Sequence, residues 1–564
     1  MMALAKILCA ALCFFIAALV TAKKAPPAER LKYLVLLAFL TAFCCFVNYK
    51  AVATLEFSSL IPPDTVTIEA TDTKNDASKE TSVYLTGLLV NGQSMPIHTT
   101  GDETWLQDGG WYKWYSRSSS HYVSGTTQSM SVSVPAGENR CLTFLGNVWK
   151  GIGSVACLGE TQVVDFYAPE ETTVQVRLPD SPAAVLRTLQ TVRLVIATLL
   201  LAIELALAVW VLLRKATKSG SKNRSLEFFR WILCVIVILH HCRGSQFRGG
   251  YLGVDVFFVI SGFFLMTHYL SRKASDLDAG PRALSYLTGR LKRILPQHIF
   301  AFLCTVLVVL FYTHAYSLPQ LLRDSWGELL LLRASGLGTK ISVAGVNWYL
   351  SALLMASYII YYLLCRCEKW YLYIGAPVLF LAIMGNLYIN KGCLNLWTDE
   401  NLQDTVLFTW GFWRGLAEMG LGCLTCVLVR RVQARIGSCD SILIRCFATV
   451  FELGAWTVIL RQMWTGRDAG DFLIPIATAA VLVSMFSLRS YLTWLLDNPL
   501  SAVLGWLSFP MYLNQMIFVR PAGVYYSGDY SCAVKFGLVA ATMLFSVFSE
   551  WLLSHIHLKK HANP

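Results

Sequence analysis

Apolar runs close to twenty residues long recur along this 564-residue chain, and short basic stretches separate them. Such a run is what an α-helix needs to cross a hydrocarbon core about 30 Å thick. Hydrophobic residues make up 55% of the chain and charged residues only 15%, so the reading is a polytopic α-helical membrane protein. The net charge of +12 would suit a nucleic-acid partner. The basic residues gather in loops between apolar runs, however, which is the positive-inside pattern, so the charge reports topology and no nucleic acid is expected. Most of the 17 cysteines lie inside apolar runs, where a thiol behaves as a small hydrophobe. No Cys or His spacing suits zinc, and no metal site is expected. Cys141 and Cys157 fall in a polar stretch where a disulfide could form outside the cytoplasm.

The order of segments divides the chain into four parts. In residues 1–49, a first apolar run at about 3–21 resembles a signal peptide. Lys23 and Lys24 follow it without a small-residue cleavage site, so a retained helix with its N-terminus outside is expected. A second run at about 31–48 leads outward. Residues 50–183 change character. Alternation in Thr65–Glu69, Ser82–Thr86 and Ser129–Val134, and a turn at Asn91-Gly92, predict a small extracytoplasmic β-sandwich. Within it Trp105, Trp111, Tyr112, Trp114 and Tyr115 surround Gly109-Gly110. Such rings can stack on sugars; the plainer reading is core filling or a place at the membrane interface. Residues 184–223 hold a third span and a basic cytoplasmic linker. Residues 224–564 hold about ten further spans, near 226–241, 251–270, 295–313, 346–364, 371–389, 405–428, 443–460, 471–487, 501–519 and 533–553. A basic inner loop containing Arg272, Lys273, Arg282, Arg290, Lys292 and Arg293 agrees with that threading.

Chemistry concentrates at the start of this last part. Arg230 and His241 stand eleven residues apart. Eleven steps of 100° end roughly 20° past three turns, so both project from one helix face, roughly 16 Å apart along the axis. Ionisable groups in a membrane helix usually line a polar path; the plain alternative is that Arg230 snorkels and His241 ends the helix in water. Asp255 opens the next span, and a buried carboxylate needs a partner, for which His241, Arg243 or Arg248 is expected. A His–carboxylate pair would fix the imidazole tautomer and suit it as a general base; the alternative is a structural ion pair. His240 points about 100° away and is secondary. Arg290 and Arg293, three apart, share a helix face. Paired guanidinium groups suit phosphate, as in a coenzyme A donor, although on spacing alone a positive-inside anchor explains them as well.

Taken in order, Arg230-x10-His241, Gly253-Val-Asp-Val-Phe-Phe-Val-Ile-Ser-Gly-Phe, Arg290-x-x-Arg293-x-x-Pro296 and Trp348-Tyr-Leu-Ser resemble the membrane acyltransferase-3 family over about residues 224–555. The resemblance implies a bacterial plasma-membrane protein with a bundle of about ten helices. It implies transfer of an acyl group, commonly acetyl from acetyl-CoA, to a cell-surface or exported carbohydrate or glycolipid. It places Arg230 and His241 on the catalytic path and Arg290 and Arg293 near the donor. Two departures stand out. Ala352 and Leu353 occupy the place where many relatives carry a glutamate, and Tyr512-Leu-Asn-Gln515 replaces Tyr-Leu-x-His. Arg414 and Glu418, four apart on one span, are either a compensating pair or a helix-stabilising one.

The expected reaction is acyl transfer with His241 and Asp255 as the base system, Arg230 steadying charge or donor phosphate, and acyl-CoA as co-substrate. The alternative is a transporter or flippase of an anionic glycan or lipid precursor, since intramembrane Arg, His and Asp suit that path too. Against it, no internal repeat is visible. A sugar receptor merely anchored by its bundle ranks last, because an anchor has no use for such a charged set.

Overall fold

The computed structural model describes residues 2–55, 61–95, 97–99, 121–123, 129–214, 223–273, 278–313, 316–335, 342–395, 408–436, 441–488, 490–526 and 529–562. The chain forms two compact units, one of residues 1–213 with 523–537 and the other of 214–522 with 538–564.

The first unit contains α1 (Met2–Lys24), α2 (Arg30–Ala53) and α3 (Ala183–Leu213), each apolar enough to span a membrane. Polar side chains join α2 to α3: Asn48 donates to the Glu204 carboxylate at 2.8 Å, and the Tyr49 and Thr198 hydroxyls meet at 3.0 Å. Between α2 and α3 lie the strands β1 (Asp64–Thr73), β2 (Val83–Val90), β3 (Gln93–Met95), β4 (His98–Thr99), β5 (His121–Val123), β6 (Ser129–Val134), β7 (Cys141–Gly146), β8 (Ile152–Cys157), β9 (Glu160–Asp165) and β10 (Thr172–Arg177). One antiparallel sheet runs β4-β6-β1-β8-β9; the other runs β10-β7-β2-β3, with β5 also paired to β2. Alternate residues such as Val66, Ile68, Val132 and Val155 from one sheet, and Leu85, Leu88, Leu142 and Phe144 from the other, are fully buried in one core. This is the sandwich expected from the alternation. Asn91 and Gly92 have φ of 54° and 74°, as a two-residue type I′ hairpin requires. Cys141 and Cys157 sit in different sheets and both are free thiols, so the disulfide weighed above is not formed. The aromatic cluster from Trp105 to Tyr115 lies outside the described residues.

In the second unit the long helices are α4 (Arg224–His240), α5 (Gly253–Ser271), α6 (Ala279–Val308), α9 (Trp348–Trp370), α10 (Ala376–Lys391), α11 (Trp410–Ile436), α12 (Ile442–Thr465), α13 (Ile474–Val483), and all of α15 (Pro499–Tyr525) and α16 (Cys532–Ala562) outside residues 523–537. The short helices α7 (Leu318–Asp324), α8 (Trp326–Leu329) and α14 (Tyr491–Leu496) complete the set. Among the described residues of the whole chain, eleven helical stretches are long and apolar enough to cross a membrane; the one at Trp348–Lys391 runs from α9, kinked at Cys367, through Tyr371–Gly375 into α10. Every expected span has a helix at its place, but α4, expected to span near 226–241, has 17 residues and is not among the eleven; the chain is a multi-pass membrane protein.

One boundary differs. Helix α6 starts at Ala279 and runs through Pro296, so Arg290 and Arg293 lie in mid-helix, not at the end of a loop. A proline with neighbouring helices around it does not stop a membrane helix.

The centre of the bundle is α5 against α11. The two run in the same direction: Gly415 meets the Phe258 ring, Gly262 meets Met419, and Thr267 meets Cys426. Small residues let the backbones approach this closely. That contact brings the N-terminal end of α5, with Asp255, against Arg414 and Glu418 of α11.

Candidate active site

Helix α4 begins at Asn223, whose side chain accepts from the Leu226 amide, and ends at His241 as its C-terminal cap. A cavity opens at that end. Among the described residues its lining includes His240, His241, Tyr251, Arg333, Trp348, Arg414 and Tyr512. Both histidines contribute, because the helix stops there; their rings are 5.3 Å apart. His240 Nδ1 lies 2.9 Å from the Phe247 carbonyl oxygen.

Arg414 is the buried cation of this wall. Its side chain is 2% exposed, its Nη1 donates to the Leu394 carbonyl at 2.5 Å, and its guanidinium lies 5.1 Å from the centre of the Trp348 ring. Its Nε is 3.1 Å from Asp255 Oδ1. The partner of Asp255 is therefore Arg414, and not His241 or a loop arginine as the sequence suggested. The residues that form the pair are far apart in sequence, and only the α5–α11 contact joins them. The Glu418 carboxyl approaches that of Asp255. Leu394, whose carbonyl holds Arg414, is fixed from its amide by Asp471 at 2.9 Å, and Asp471 also accepts from the Tyr251 hydroxyl.

Arg230 does not line this cavity. Its Nη1 donates to both Glu227 oxygens, at 3.0 and 2.9 Å, an i,i+3 pair that the sequence reading passed over. Gly505 of α15 packs directly on Glu227. Arg290 turns into the bundle, donating to Tyr286 at 3.1 Å, Ser357 at 3.0 Å and Ser261 at 3.2 Å. Arg293 is exposed and donates back to Gly289 of its own helix. The two arginines share a face but not an environment. Between these groups stands Tyr349, buried, hydrogen-bonded to Ser261, and in electrostatic range of Arg290, Arg230 and Glu418. Its ring meets Tyr512 of the cavity wall edge-on at 5.7 Å.

The two departures from the family pattern have simple structural outcomes. Ala352 and Leu353 are buried in the apolar core. Gln515 is buried and donates to the Tyr512 carbonyl at 2.8 Å, while the Tyr512 hydroxyl donates to the Val346 carbonyl at 2.9 Å. Of the cavity residues, sequence reasoning missed Arg333, Tyr251 and the inward role of Arg414. The signals for the last were an arginine inside an apolar span and its spacing of four from Glu418. Among the described residues no group of His, Cys, Asp and Glu could hold a metal ion.

A helical membrane bundle with a histidine-and-arginine cavity at a helix end defines a polytopic membrane protein with a polar site inside its bundle. The chain belongs to the acyltransferase-3 family: the family model, described as an acyltransferase domain, matches residues 223–555. Among curated relatives, a Staphylococcus aureus (strain COL) protein provisionally named an O-acetyltransferase is 23% identical over 366 residues, 59% of this chain and 58% of that protein. The O-acetyltransferase OatA of Staphylococcus aureus (strain NCTC 8325 / PS 47) is 32% identical over 104 residues, 18% of this chain and 16% of that protein. The chain thus spans little more than half the length of the first of these relatives and a sixth of the second.

Proposed function

We propose that this protein is a membrane O-acyltransferase of a bacterial plasma membrane. It takes an acyl group, acetyl in the first instance, from a cytoplasmic acyl-CoA and transfers it to a hydroxyl of a surface or exported carbohydrate or glycolipid. Its β-sandwich lies outside. The observation that carries this reading is the cavity at the end of α4, lined by both His241 and buried Arg414 within the family's own segment. The O-acetyltransferase names of the relatives support the acetyl group.

In this reading His241 takes the proton of the acceptor hydroxyl. The oxygen attacks the thioester carbonyl and forms the new C–O bond. The C–S bond then breaks, and the leaving thiolate takes the proton back from the imidazolium. Arg290, already held toward the interior by three hydroxyls, and exposed Arg293 serve the donor phosphates as guanidinium forks. Arg230 belongs to this donor side, oriented by Glu227.

The test is release of free thiol from acetyl-CoA, and incorporation of acetyl into glycan, by the purified full-length protein and by His241→Ala. Loss of both in the variant supports the reading. Transfer retained in His241→Ala removes the histidine from the mechanism. Movement of an anionic glycan into liposomes without any thioester would favour a transporter.

A further inference from the structure

The sequence placed the cation of the reaction at Arg230. In the structure that guanidinium is chelated by Glu227 and is absent from the wall of the cavity that holds His241. Two guanidinium groups stand in that wall, Arg333 and Arg414; Arg333 is paired with Glu328 at 3.9 Å, and Arg414 is the more deeply buried. We propose that Arg414 is the catalytic cation of the site, stabilising the negative charge that develops on the acyl carbonyl oxygen, and that Asp255 and Glu418 are positioning residues for Arg414 and not for His241.

Three observations carry this. First, Arg414 is held from several directions: by the Leu394 carbonyl at 2.5 Å, by Asp255 at 3.1 Å, and by the face of Trp348. A group fixed in this way needs little rearrangement when charge appears beside it. Second, Asp255 is itself held. Asp255 and Glu418 are both fully buried and their carboxyl groups hydrogen-bond to each other. Two such groups side by side cannot both carry a full charge, so they share a proton and leave one negative charge for Arg414. Third, the wall carries its own anchoring chain from Tyr251 through Asp471 to Leu394. This fixes the carbonyl that orients Arg414 through hydrogen bonds that involve neither histidine, although the Tyr251 ring meets that of His240 edge-on at 5.7 Å. Asp255 thereby acquires a role different from that of a histidine orienter: it sets where the guanidinium points.

This inference rests on the acyl-transfer reading above. The chemical step is unchanged: as the acceptor oxygen bonds to the carbonyl carbon, the carbonyl π pair moves onto oxygen and is met by the Arg414 guanidinium. It returns as the C–S bond breaks.

The experiment uses the full-length protein in nanodiscs with acetyl-CoA and compares Arg414→Gln, Arg414→Lys, Arg230→Gln, Asp255→Asn and His241→Ala. It reads kcat and donor KM for thiol release, the pH profile, and thermal stability. Arg414→Gln is expected to lower kcat by about 10²–10³-fold, as removal of one oxyanion donor does, with donor KM within about threefold. Arg414→Lys is expected to recover part of kcat. Asp255→Asn is expected to lower kcat without moving the pH midpoint, whereas a histidine orienter would shift it. Arg230→Gln is expected to act mainly on donor KM. If Arg414→Gln unfolds, the Arg414→Gln/Asp255→Asn double variant, which removes the pair's charges together, provides the same reading. The proposal is overturned if Arg414→Gln or that double variant keeps kcat within about threefold while His241→Ala abolishes it. It is also overturned if Asp255→Asn shifts the pH midpoint. A wild-type protein that releases no thiol from acetyl-CoA and acetylates no glycan would instead defeat the acyl-transfer reading itself.

Discussion

A methyl group placed on Gly262 would lie 2.0 Å from the carbonyl oxygen of Met419. The same crossing recurs at Gly422, where the methyl would lie 2.1 Å from the Val259 carbonyl. Neither obstacle is a flexible side-chain tip, so the backbones of α5 and α11 must separate to admit any side chain. Gly262→Ala is expected to destabilise the bundle by at least the upper part of the about 1–3 kcal/mol typical of overpacking, and Gly262→Leu by more. Thermal unfolding of detergent-solubilised protein, followed by size-exclusion fluorescence, measures this. Activity should fall with it, because this contact is what sets Asp255 against Arg414.

Arg230 and Glu227 should behave as a unit. Their side chains are 31% and 17% exposed, and a pair this accessible contributes little stability, about 1 kcal/mol or less. Arg230→Gln and Glu227→Gln are each expected to shift the melting temperature only slightly and to raise the donor KM to a similar degree. The double variant should be no worse than either single one, a non-additivity measured by a double-mutant cycle.

Arg290 and Arg293 should separate experimentally despite sharing a helix face. Arg290→Ala removes one hydrogen bond from each of the Ser261, Ser357 and Tyr286 hydroxyls and is expected to cost about 1–3 kcal/mol along with donor affinity. Arg293→Ala leaves only a long contact to its own helix. It is expected to leave stability unchanged and to raise donor KM alone. Melting curves and donor titrations on the two variants distinguish the effects.

Much of the architecture was legible because it is written locally. Apolar run length marked each span of the bundle, period-two alternation marked β1, β2 and β6, and Asn91-Gly92 marked its hairpin. Helix α6 was harder, because its first half is polar and basic and Pro296 looks like an ending; only neighbouring helices make the proline tolerable. The site divides in the same way. The cavity position of His241 follows from helix geometry at the end of α4. The Asp255–Arg414 pair does not, since it depends on which two helices pack together, and no alternation or spacing encodes that. Arg230 misled for a related reason. Sharing a face with His241 says where a side chain starts, not which neighbour takes its charge, and Glu227 three residues earlier takes it.

The β-sandwich carries a pH-dependent group of its own. Burial pushes Lys150 down to about 8. Its Nζ lies 3.1 Å from the centre of the Tyr84 ring and 3.2 Å from Ser82 Oγ. With the ordinary value at 10.5, the unfolded chain binds more protons than the folded one between about pH 8 and 10.5, so stability rises with pH across that window. Below about pH 8 the buried charge is a constant penalty. Hydrogen exchange of strands β7 and β8 in the full-length protein should slow from pH 8 to 10 once corrected for intrinsic rates. Lys150→Met should remove that dependence.

The central claim is that the cavity around His241 is where an acyl group reaches a carbohydrate hydroxyl. The most direct measurement is mass spectrometry of surface glycans from cells that carry the wild-type protein, the His241→Ala variant, or no copy. Expected is an ester-linked acyl mass in the wild type alone, lost on mild alkali. Glycan masses that are identical in all three strains, or an acyl mass that persists in the His241→Ala strain, would contradict the claim.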